Sequence, residues 1–82
     1  MGSTPIGGLA GNRFRINSPS VSRRHAVIVN MCNEVWLHDL NSTIGTYLDG
    51  VRVYGKQPLM GVHDVKLGRT SLRVWPRADL VA

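Results

Sequence analysis

The residues of this chain best suited to chemistry fall in two short segments, Ser22-Arg23-Arg24-His25 and Asp39-Leu40-Asn41-Ser42-Thr43-Ile44-Gly45-Thr46. The first sets a hydroxyl, two guanidinium groups and an imidazole in a row. The second gathers hydroxyls around a glycine that permits a tight turn. Guanidinium forks match anionic oxygens in geometry as well as in charge, so the chemistry on offer is capture of an anion. Catalysis is a poorer match. A Ser22, His25, Asp39 triad can be written down, but no nucleophile-elbow context presents the serine. His25 runs straight into an apolar stretch, the setting of a hydrogen-bonded structural histidine. Cys32, His38 and His63 match none of the usual zinc spacings, so neither a metal site nor a cofactor is expected. The chain reads as a binding protein and not an enzyme.

Strands must position those segments. His25-Ala26-Val27-Ile28-Val29 and Val35-Trp36-Leu37-His38 are short apolar runs rich in β-branched and aromatic residues, which makes Met31 to Glu34 the connection of a hairpin. Thr46-Tyr47-Leu48 and Val51-Arg52-Val53-Tyr54 flank Asp49-Gly50, a dipeptide suited to a type I′ turn because both central residues need positive φ. Val65-Lys66-Leu67 and Leu72-Arg73-Val74-Trp75 alternate around Gly68-Arg69-Thr70-Ser71, predicting a further hairpin. Nothing shows the sustained i, i+3, i+4 apolar spacing of an amphipathic helix. Short strands at near-regular spacing with Gly and Asn turns predict an all-β sandwich of mostly antiparallel strands.

At 82 residues the chain is a single small domain, residues 1–82, with a core from about Ile6 to Trp75 and short flexible ends. Ten Lys and Arg against five Asp and Glu give a formal charge of +5, with Arg in the majority. That balance admits acidic peptides, phosphopeptides or nucleic acid as partners without choosing among them. Nucleic acid has only the charge behind it: there is no recognition-helix pattern, and only five aromatics are available to stack bases. The basic stretch also reads, more plainly, as a solvated face, and Trp36 and Trp75 as core or sheet-face residues. Cys32 is the sole cysteine, no apolar run approaches the ~20 residues of a membrane span, and the first residues lack a signal-peptide pattern. The cytoplasm is the expected location, with the nucleus equally permitted, and no membrane partner is expected.

The pattern Val21-Ser22-Arg23-Arg24-His25-Ala26, then Leu37-His38-Asp39-Leu40 through Ser42, Thr43, Gly45 and Thr46 to Asp49-Gly50, resembles the forkhead-associated (FHA) domain. Ile6-Gly7-Gly8 lines up with that family's Ile-Gly-Arg turn, and Val65-Lys66-Leu67-Gly68 with its penultimate strand. Membership would imply an SMAD/FHA-like β-sandwich that binds phosphothreonine peptides through loops at one end, in Ser/Thr kinase signalling. The resemblance gives the phosphate to Ser22, Arg23 and Thr43, with Arg24 flanking. It makes His25 the residue that ties the recognition loops together and Gly45 the one that lets the second loop turn.

Three positions depart from the pattern. The family's phosphate-clamping Arg falls on Gly8, the Asn that holds the peptide backbone falls on Ile44, and the Gly-Asp before the last hairpin falls on Val62-His63. Losing the first two would cost on the order of a hundredfold in affinity. Arg13 and Arg15 lie in the same stretch as the vacated position. An alternative reading is therefore a scaffold that holds partners or itself without phosphate. The family also carries two strands ahead of its Ile-Gly-Arg turn, so either the start is trimmed or the sandwich lacks its first strands, and an edge left uncovered would be open to homodimer formation.

Overall fold

The computed structural model describes residues 2–31 and 34–74, so Cys32, Trp75 and the expected C-terminal tail lie outside the described residues. Among them there is no helix. β1 (Gly2–Gly7), β2 (Phe14–Arg15), β3 (Ala26–Met31), β4 (Glu34–Asp39) and β7 (Lys56–Pro58) form one sheet in the order β2-β1-β3-β4-β7. β5 (Thr46–Leu48), β6 (Val51–Arg52), β8 (His63–Leu67) and β9 (Thr70–Val74) form the other, in the order β6-β5-β8-β9. All pairings are antiparallel except the short one between β1 and β2. The fold is the expected all-β sandwich.

Period-two alternation sets the core. In β8, Val65 and Leu67 are buried while Asp64 and Lys66 face solvent. Ile6, Ala26 and Leu37 meet them from the other sheet, and Ile28, Val35, Leu48 and Leu72 pack around this centre half-buried. Trp36 points away from the core and receives the Lys56 ammonium 5.0 Å from its ring centroid.

The Asp49-Gly50 turn forms as its sequence demands, with φ of 50° and 86°. Other boundaries differ. Gly2, Ser3 and Thr4, read as part of a loose end, lie in β1 and pair with Asn30, Val29 and Ile28. Pairing of β3 with β4 runs on to Met31 and Glu34, shortening the expected connection. Thr70 and Ser71 belong to β9, opposite Leu67 and Lys66, so the turn is only Gly68-Arg69, with Gly68 at φ 61°. β6 ends at Arg52, and the buried Val53 continues its register by donating its N–H to the Thr46 carbonyl at 2.8 Å.

At the end of the sandwich away from the two segments, Asp49 is clasped to β8. The Met60 N–H donates to His63 Nε2 at 3.0 Å, so Nδ1 carries the proton and donates to Asp49 Oδ2 at 2.6 Å. The Asp64 N–H donates to Asp49 Oδ1 at 2.9 Å. The His63 hydrogen bond first, then the Asp64 amide, hold the Asp49 carboxyl below the usual aspartate value. A depressed native pKa adds stability above the unfolded value of about 3.9, and that stability is lost as pH falls through the native value. Asp49→Asn keeps a residue tolerant of positive φ. Its urea-unfolding free energy should therefore fall less steeply than the native chain's between about pH 5 and pH 2. Equal slopes would remove this clasp as a source of acid sensitivity.

Candidate functional site

Four connections meet at one end of the sandwich: residues 8–13, 16–25, 40–45 and 68–69. The link among them is His25, fully buried just before β3. Its backbone N–H donates to Ile6 O and its carbonyl accepts from the Leu40 N–H, both at 3.0 Å. The Ser22 N–H donates to Nδ1 at 3.0 Å, which leaves the proton on Nε2 to be donated to Gly45 O at 2.9 Å. Gly45 O also accepts from the Gly68 N–H at 2.9 Å. One imidazole thus joins both chemistry-bearing segments, and one carbonyl joins them to the β8–β9 turn.

A second bond crosses between the segments. The Thr43 N–H donates to Ser22 Oγ at 3.1 Å. The hydroxyl oxygen is used as an acceptor there, so the Ser22 hydroxyl hydrogen remains available to a ligand. Thr43 is exposed beside it and makes no side-chain hydrogen bond among the described residues. Asp39 closes the second loop from beneath. Its carboxylate accepts from Ser42 Oγ at 2.5 Å, Ser42 N at 3.3 Å and Thr46 Oγ1 at 2.7 Å. Gly45 sits at φ 116°, and a Cβ there would meet Arg52 Nε at 3.0 Å. Both facts call for glycine.

The first connection is held just as closely. Asn12 Nδ2 donates to Leu9 O at 2.9 Å and to Arg23 O at 2.7 Å, and Gly8 N–H donates to Ser22 O at 2.9 Å. A Cβ on Gly7 would stand 2.2 Å from Arg23 O. A Cβ on Gly8 would meet Val21 O at an ordinary 3.4 Å. Arg69 N–H donates to Ser20 Oγ at 2.8 Å, bringing the β8–β9 turn against the first loop. The result is a rigid rim on which hydroxyls and amides converge.

A family model for the FHA domain matches residues 3–73. The chain belongs to the FHA domain family. A structure solved in work on phosphothreonine-dependent FHA domain interactions is similar at 34% identity and a TM-score of 0.80, over 85% of this chain and 72% of that one. The FHA domain of FhaA, complexed with the intracellular domain of Rv3910, is similar at 34% identity and a TM-score of 0.79, over 85% and 76%. Mycobacterium tuberculosis EmbR with a low-affinity phosphopeptide is similar at 29% identity and a TM-score of 0.81, over 84% of this chain and 18% of that one. No curated protein sequence matches the chain. FHA domains are binding modules, not enzymes.

Within this FHA domain the residues singled out from sequence divide in two. Ser22, Thr43, His25 and Gly45 come together through the bonds above. Arg23 is exposed at the rim. Arg24, also exposed, lines a cleft of about 400 Å³ with Leu9, Asn12 and Leu40 on the outer side of the five-stranded sheet. Ile44, in the place of the family's Asn, is 38% exposed and presents an apolar side chain. With Arg69 it borders a larger cleft of about 600 Å³ over the four-stranded sheet, lined also by Tyr47 and Lys66. Sequence reasoning passed over Asn12 and the loop-closing part of Asp39. Asp39-Leu40-Asn41-Ser42 carries the signal for the second, since an Asp three residues ahead of a Ser is a common side-chain-capped turn. Asn12 has no such local signal, because one of its partners lies eleven residues away.

His25→Ala should lower the unfolding free energy by roughly 2–4 kcal/mol, from lost packing and the unsatisfied Ser22 amide. Gly7→Ala should cost more than ~1 kcal/mol, whereas Gly8→Ala should stay within ~0.5 kcal/mol. Chemical denaturation reads all three, and similar losses for the two glycine variants would contradict the packing described.

Proposed function

We propose that this FHA domain docks a segment of a partner protein bearing phosphothreonine, with Ser22, Arg23 and Thr43 meeting the phosphate and Arg24 adding positive charge at the flank. The observation that carries the reading is the bond from the Thr43 N–H to Ser22 Oγ, which draws the two loops together and leaves the Ser22 proton free to be donated. Phosphothreonine brings about −1.5 to −2 charge and several strong acceptor oxygens at neutral pH. Short hydroxyl donors on a preformed rim suit it, because little ordering remains to be done on binding. Such a partner is the product of a Ser/Thr kinase. The domain would act in the cytoplasm, where a lone cysteine stays reduced. No helix among the described residues is long and apolar enough to cross a membrane.

The reading without phosphate draws on Ile44, whose exposed apolar side chain offers no hydrogen bond to a peptide backbone. It draws also on β9, which pairs only with β8 among the described residues and so leaves one edge for a second copy. A mass by light scattering that stays monomeric over a wide concentration range would dismiss that self-association.

Calorimetric titration with a phosphothreonine-oriented peptide pool and its unphosphorylated twin separates the readings. The phosphorylated pool should bind and the twin should not, and Ser22→Ala should weaken binding by about tenfold or more. Equal binding of both pools would sink the phosphothreonine reading.

A further inference from the structure

Gly8 stands where an FHA domain would carry its phosphate-clamping arginine, yet nothing in the backbone requires glycine there. Its φ is not positive, and a Cβ would make only ordinary contacts. A cation comes to this residue from elsewhere. Arg15 Nε donates to Gly8 O at 3.1 Å. The same Gly8 donates its N–H to Ser22 O at 2.9 Å, so the guanidinium is fastened to the residue that abuts the backbone carrying the Ser22 hydroxyl. The Arg15 backbone is held in turn: it lies in β2, in register with Gly7, and the following Ile16 N–H donates to Gly7 O at 2.9 Å.

We infer that Arg15 is the phosphate-clamping cation of this domain, delivered from β2 across Gly8 in place of a side chain at position 8; the inference rests on the phosphothreonine reading above. Nε is engaged, while the two terminal nitrogens of Arg15 make no hydrogen bond among the described residues. A guanidinium held by Nε still presents a paired-donor edge, the edge that meets two oxygens of one phosphate. Arg13, Arg15, Arg23 and Arg24 are all exposed, but of these only Arg15 makes a side-chain hydrogen bond among the described residues. Each of the others would have to surrender its rotamer freedom on binding, whereas Arg15 has already surrendered part of its own on folding. Arg15 reaches the Gly8 carbonyl, while a Cβ at Gly8 would face Val21 O, Ile16 O and Ser22 O, so the vacated position and the held guanidinium lie on one residue.

The test uses the tightest-binding phosphothreonine peptide from the oriented pool and its unphosphorylated twin. Arg15→Ala should weaken binding of the phosphorylated peptide by about tenfold to a hundredfold. Arg13→Ala, the same loss of charge two positions away, should change it by no more than about twofold. Arg15→Lys keeps the charge without the fork and should fall between. Placing the arginine back at its family position, Gly8→Arg with Arg15→Ala, should recover most of the lost affinity, with melting temperatures near the native chain's throughout. If Ser22→Ala weakens binding while Arg15→Ala does no more than Arg13→Ala, the assignment of Arg15 is overturned and the phosphothreonine reading stands. If the native domain does not distinguish the two peptides, that reading fails and the clamp falls with it.

Discussion

Everything at the binding end hangs on the imidazole of His25. Hydrophobic burial between the sheets is non-directional and does not by itself set how loops register against one another. His25 does so with four bonds, to Ile6 of β1, to Ser22 of its own connection, and to Leu40 and Gly45 at the two ends of the second loop. A buried polar group with every hydrogen-bonding atom satisfied rigidifies its surroundings, because each partner that moves leaves an unpaired group in a low-dielectric interior. Gly45 O, shared with the Gly68 N–H, carries that rigidity into the second sheet.

This constraint explains which rim positions require glycine and which do not. Gly7 and Gly68 have no room for a side chain, since a Cβ would stand 2.2 Å from Arg23 O in one case and 2.0 Å from Ser20 O in the other. Gly45 is held by its φ and by Arg52. These glycines are dictated by backbone approach. Gly8 and Ile44 are under no such demand: a Cβ at the one makes ordinary contacts, and the other projects a side chain to solvent. The departures at Gly8 and Ile44 thus fall where the scaffold is indifferent, whereas the one at Val62-His63 puts His63 into the clasp on Asp49.

The same distinction decides what could be read in the residues alone. Asp49-Gly50 was legible because type I′ geometry excludes nearly every other pair, and β8 and β9 because one buried face imposes alternation. β2 and β7 were not, being two and three residues long and too short for a period to show. β1 was hidden by Gly2 and by Pro5, which lacks an N–H. Ile6 O faces His25 in the direction of β3, so the neighbouring Pro5 turns its nitrogen the other way, beyond the reach of β2. Ser22, Thr43 and His25 stood out through motif spacing. The hold of Arg15 on Gly8 spans seven residues and two strands and has no pattern of its own.

Charge then determines what this frame can bind. Asp39 places a carboxylate directly under the second loop, where it accepts three hydrogen bonds, from Ser42 Oγ, Ser42 N and Thr46 Oγ1. An incoming dianion approaches a loop whose underside is already negative, and repulsion at such range is weakly screened by salt because the carboxylate is part-buried. Hydroxyl and amide dipoles alone must first overcome that field. In the docking proposed above, a guanidinium would offset Asp39 and supply paired donors in one group. The loop-closing acid and the vacated position at Gly8 therefore impose the same requirement. For the phosphate proposed above, the nearest arginine already held in place would then weigh more in the affinity than the well-formed loops.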